Sequence, residues 1–176
     1  MSGAQNTTVT LHMPSSKVLA ALGRVTIRHS LLDLVLTGTI KVLAELTATE
    51  AQQALEYEGA RSKRELIKKL AIARFGKTSQ ATLKLAAILN SCGKLTDKRN
   101  RYVHSLWTTG KGEAAKLWDG GGHQKAPTAT QLNQLADDIY QVARDLNEAR
   151  LKGFIFDAMQ NAKGTQAVKK AKRDEV

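Results

Sequence analysis

Apolar residues recur along the first part of the chain at Val18, Leu22, Val25, Leu32, Leu36, Ile40, Leu43 and Leu46, the spacing that lines one face of an α-helix. This predicts a long first helix from Ser15 or Ser16, just past Pro14, to about Leu46. Thr47-Ala48-Thr49-Glu50 has capping-box spacing and opens a second helix, which Gly59 breaks. Ser62-Lys63-Arg64-Glu65 repeats that signal ahead of Leu66, Ile67, Leu70, Ile72 and Ala73. The third helix stops at Gly76, carries Arg74 near the negative end of its dipole, and has a basic exposed side. Thr78 or Ser79 caps the next helix through about Cys92, Gly93 closes it, and Leu95 to Trp107 resumes helical spacing.

The pattern fails from Thr108 to Pro127, where five glycines include Gly120-Gly121-Gly122. This stretch reads as a loop or a short irregular hairpin around Leu117-Trp118, and loops of such length more often cover a functional site or stay disordered than merely connect helices. Thr128-Ala129-Thr130-Gln131 is a further capping box. Beyond it Leu132, Leu135, Ile139, Val142 and Leu146 form the buried stripe of a final long helix, with a continuation through Phe154, Ile155 and Phe156. The sum is an all-α fold, a helical bundle of about four to five main helices with an irregular Gly-rich loop before the last long one. Residues 1–14 read as a flexible N-terminus, 15–162 as one domain and 163–176 as a basic mobile tail.

Composition agrees with that reading. The chain has 176 residues, 42 % of them hydrophobic, and only two prolines, which suits long helices and argues against an all-β sandwich. Cys92 is the lone cysteine, so an internal disulfide and Cys-based zinc sites are excluded and a reducing compartment is expected. No uncharged apolar run approaches the ~20 residues of a membrane span, and residues 1–16 lack the features of a signal peptide, which points to the cytoplasm. The net charge of +11 favours polyanionic partners.

The segment Asp97-Lys98-Arg99-Asn100-Arg101-Tyr102-Val103-His104-Ser105-Leu106-Trp107 holds the candidate chemistry. Arg99 shares an apolar stripe with Leu95, Tyr102 and Leu106, and a guanidinium among apolar neighbours calls for a carboxylate, a phosphate or a water-filled cleft. His104 lies one turn after Asn100, whose amide is placed to fix the imidazole tautomer. Arg99 and His104 stand roughly 140° apart around an ideal helix, so Arg99 must use its long side chain to bring both to one substrate.

With Arg99-Asn100-Arg101-Tyr102-Val103-His104 in place, the chain resembles the HEPN superfamily, all-α nucleic-acid-associated domains with an Arg-x4–6-His motif that often begins Arg-Asn. The likeness runs over roughly Lys17 to Met159 and is closest in look to the abortive-infection and toxin-like bacterial branch. It implies a metal-independent endoribonuclease without cofactors, commonly a homodimer whose motifs meet across the interface, with an antitoxin or regulatory protein as a further partner. By that likeness Arg99 stabilises the phosphate, His104 is general base or acid, and Asn100 orients the site. An acidic residue on the first helix contacts the motif in some members, which puts Asp33 forward; a plain polar contact between Asp33 and His29, one turn apart, is the other reading. Arg24-Val25-Thr26-Ile27-Arg28-His29 repeats the spacing without the Asn, on a helix where the family does not place its motif, and is read as coincidence. Leu106 occupies the place of a tyrosine found in the nucleotidyltransferase-partnered branch, so control through such a tyrosine is not expected.

Lys98, Arg101, Lys68 and Lys69 are candidates for contacting an RNA backbone, although a run such as Arg61 to Lys77 also suits a solvated helix face. Trp107 is expected in the core, and Trp118 in the Gly-rich loop is more open to stacking on bases. His123 lacks the companions of a metal site, and no metal is expected. The alternative to an enzyme is a non-catalytic module of the same fold that binds RNA or a partner protein and uses Arg99 structurally.

Overall fold

The computed structural model describes residues 10–11, 13–109, 115–118 and 122–162; the expected tail and most of the N-terminal segment, His12 included, lie outside them. Five helices carry the fold: α1 (Ser16–Ala44), α2 (Ala48–Leu55), α3 (Ala60–Phe75), α4 (Gln80–His104) and α5 (Ala129–Leu151). The protein is an all-α bundle. Its ends are set by local chemistry. Thr47 with Glu50 and Thr128 with Gln131 form capping boxes in both directions, and Ser79 Oγ accepts from the Thr82 amide. α1 ends at Glu45 in the left-handed region, φ 57°, with its amide turned back onto Lys41 and Val42 carbonyls.

α1 is the spine, packed most extensively on α5 and also against α2, α3 and α4. Its stripe of Leu32, Leu36, Ile40 and Leu43 meets Leu132, Leu135, Ile139 and Leu146 of α5, with Ile67 of α3 and Leu85 and Leu89 of α4 closing the core.

Four expectations change. α3 begins at Ala60 behind Gly59, so Ser62 lies inside the helix rather than capping it, and its Lys63 and Arg64 are buried, at 5 % and 8 % exposure, which leaves Arg61 and Lys69 as the basic residues of its exposed side. Gly93 does not close a helix: α4 runs through it unbroken. Helical spacing past His104 gives way to strand, since Leu106 and Trp107 belong to β2 (Leu106–Thr109). The last helix does not continue directly into Phe154; it stops at Leu151, and residues 154–162 form a separate helical stretch after Gly153.

The Gly-rich region is a small antiparallel sheet. β1 (Thr10–Leu11), β2, β3 (Lys116–Trp118) and β4 (His123–Lys125) pair in that order, with Leu106 opposite Trp118 and Trp107 opposite Leu117. Within the segment expected to be a flexible N-terminus, Thr10 and Leu11 pair with Thr109 and Thr108. The sheet follows directly on the end of α4, since β2 begins two residues after His104.

Candidate functional site

α4 delivers the motif. Arg99 is half-buried on its core-side face, and its guanidinium runs toward the helix C-terminus, where Nη1 donates to Asn100 Oδ1 at 2.9 Å and to His104 Nε2 at 3.1 Å. The flexible arginine thus spans the angular gap between positions five apart. Because a guanidinium only donates, His104 Nε2 is the acceptor, and its neutral ring carries the hydrogen on Nδ1. Asn100 meets Arg99, so the tautomer of His104 is set by the arginine rather than by the expected amide. Arg99 Nε is buried and has no hydrogen-bond partner, and no carboxylate pairs with this side chain among the described residues.

α1 and α3 bring further polar groups to the same stretch of α4. His29 Nε2 lies 3.2 Å from Thr96 Oγ1, and Arg64 Nη1 reaches the same oxygen at 3.5 Å. Arg64 passes beside Gly93, where a Cβ would stand at ordinary contact distance, 3.6 Å from Arg64 Nε. Burial is the main cause that lowers the His29 pKa below its ordinary value; the Arg99 charge acts next in the same direction, Asp33 opposes it, and Arg64 adds a smaller lowering. Two guanidiniums therefore converge on one turn of α4 with no carboxylate bonded to either among the described residues.

Asp33 is not bonded to Arg99 or His104. Its Oδ2 accepts from the buried Lys63 Nζ at 2.7 Å, and both border a cleft of about 740 Å³ that also takes in Lys41 and Arg150. Its link to the motif runs through the charge it presents to His29. Arg24 turns to α5, bonding Asn133 at 3.3 Å and Asp137 at 3.4 Å, so the second Arg-x4-His match does not assemble as a pair. Lys98 and Arg101 are exposed on the motif helix; on α3 Lys69 is exposed while Lys68 bonds Glu65 at 2.9 Å.

Trp107 is half-buried, with Nε1 donating to the Tyr102 carbonyl at 3.2 Å, and Trp118 is 45 % exposed on β3. Cys92 is buried, and burial pushes its thiol up to about 11, which leaves it protonated and unreactive near neutral pH. Among the described residues no three of His, Cys, Asp and Glu are grouped to hold a metal ion, and no helix is long and apolar enough to cross a membrane.

Thr96, Arg64 and His29 are the residues that sequence reasoning did not bring to the site. Position 96 continues the buried stripe of Leu85, Leu89 and Cys92, and His29 interrupts the apolar face of α1; those two irregularities were the available signals. No family model, curated protein or solved structure matches the chain.

Proposed function

We propose that the protein is a HEPN-type endoribonuclease that cleaves RNA without a metal, by attack of the ribose 2′-hydroxyl on the adjacent phosphorus, in a toxin–antitoxin or phage-defence setting. The observation that supports this reading most is Arg99: a guanidinium whose buried Nε–H has no hydrogen-bond partner and which meets no carboxylate among the described residues, with a direct hydrogen bond to an imidazole. A donor left in that state favours an incoming anionic oxygen, and an imidazole in contact with the same group stands where a proton must move. Arg99 stabilises charge on the phosphoryl oxygens, His104 transfers a proton, and Asn100 holds the guanidinium by accepting from its Nη1. Lys98, just before the motif, and Arg101, within it, are exposed on α4, suited to the RNA backbone.

The test is incubation of the purified protein with mixed RNA in EDTA. Cleavage that survives chelation and leaves 2′,3′-cyclic phosphate and 5′-hydroxyl ends is expected, with an all-2′-deoxy substrate inert. Arg99→Ala and His104→Ala each lower the rate by roughly 10²–10⁴-fold with the fold intact, and Arg24→Ala leaves it unchanged. Ends bearing a 5′-phosphate, or equal loss in all three variants, would refute the assignment.

A further inference from the structure

Cleavage by an internal hydroxyl moves a proton off the 2′-oxygen and another onto the departing 5′-oxygen, and two positioned groups serve this better than one. His104 is one such group. His29 reaches the same helix from α1, through its 3.2 Å contact with Thr96, three residues before Arg99 and on the same face of α4. The Thr96 hydroxyl gives its hydrogen to the Cys92 carbonyl at 2.8 Å, so its oxygen accepts and His29 Nε2 is the protonated nitrogen. The neutral ring then carries its lone pair on Nδ1, which has no hydrogen-bond partner among the described residues. Around it stand Arg99 of α4, Arg64 of α3 and Asp33 of its own helix; with burial, the two cations keep the ring neutral near pH 7.

We propose that His29 is the second proton-transfer group of this site, so that one chain holds both a base and an acid on a single phosphodiester bound at Arg99. The inference rests on the ribonuclease reading above. His29 Nδ1 takes the 2′-hydroxyl proton as the 2′-oxygen bonds to phosphorus. When Arg99 turns to the phosphate, the freed His104 Nε2 takes a proton from water; the bond from phosphorus to the 5′-oxygen then breaks, and that oxygen takes this proton from the His104 imidazolium. One proton has passed from His104 to His29, no electron has changed hands, and exchange with water resets the pair. The familiar composite site, with a partner's His104 as the second group, is not required.

The closing experiment uses the full chain and His29→Gln, which keeps an amide donor for Thr96 but does not titrate. A slowly varied titration of a 2′-deoxy dinucleotide, which binds without being cleaved, is followed by the ring resonances of His29 and His104. Both are expected to move with one dissociation constant, and both responses to vanish in Arg99→Ala. In the RNA assay His29→Gln should lose roughly 10²-fold or more in rate while its thermal unfolding at pH 7.5 and its dinucleotide affinity hold, and its pH–rate profile should lose the acid limb that the wild type shows at a pH below the ordinary histidine value. Mixing Arg99→Ala with His104→Ala chains should restore nothing. Wild-type rates and profile in His29→Gln, a dinucleotide response from His104 alone, or recovery on mixing would overturn the proposal and leave Arg99 and His104 standing. A wild type that does not cleave RNA would remove the ribonuclease reading itself.

Discussion

A guanidinium has five donor hydrogens in a fixed plane and no acceptor, and at position 99 two of its contacts, to Asn100 and His104, leave from the same nitrogen. The contact with His104 was legible in the sequence because the two residues lie five apart on one helix, whereas Asn100, one turn before His104, was assigned to the imidazole and instead meets the arginine. His29 was not legible, since its contact with Thr96 joins residues 67 apart and depends on how α1 and α4 pack. Asp33 shows the same limit: its spacing from His29 was visible, but the buried Lys63 that takes its carboxylate comes from a helix whose start was misplaced. A stability effect follows from His29. Its folded-state pKa is lowered, so the unfolded chain binds the proton more readily, and the contribution is complete above the ordinary value of about 6.5. It is lost as pH falls from there through the lower folded-state value. Thermal unfolding at pH 7.5 and at pH 5 should therefore show a smaller acid destabilisation in His29→Gln than in the wild type.

At the scale of elements, periodicity and capping boxes located α1, α2 and α5 to within a few residues, because there the local signals and the buried stripe agree. They parted at Gly93. Glycine is a common stop, yet Leu85, Leu89, Cys92 and Thr96 stay in helical register across it, and burial of that stripe prevails over the weak local preference. Gly93→Ala is expected to raise stability by about 0.5–1 kcal/mol, as the new Cβ would meet Arg64 Nε at an ordinary 3.6 Å and the helix would lose a flexible position. Urea denaturation measures this, and a destabilised variant would mean that the chain departs from helix at that residue. The three-residue strands β3 and β4 were beyond periodicity altogether. Too few positions alternate in them, and their identity comes from pairing with β2.

For the molecule as a whole, charge and topology act on the site together. With a net charge of +11, binding of the 2′-deoxy dinucleotide should weaken only modestly with salt, while binding of a long RNA should fall steeply, since more phosphates are neutralised. The β1–β2 pairing has a different consequence. Thr10 and Leu11 are hydrogen-bonded to the strand that begins two residues after His104, so the start of the chain tethers the end of the motif helix. Such a fastening joins positions about 100 residues apart and forms only after the bundle has brought them together. A pairing of that kind is expected to open as a unit separate from the helical core. Deleting residues 1–11 should leave amide exchange in α1 and α5 unaltered and accelerate it at Arg101 to Thr108, so that an added N-terminal fusion would be felt at the histidine while the core stays silent.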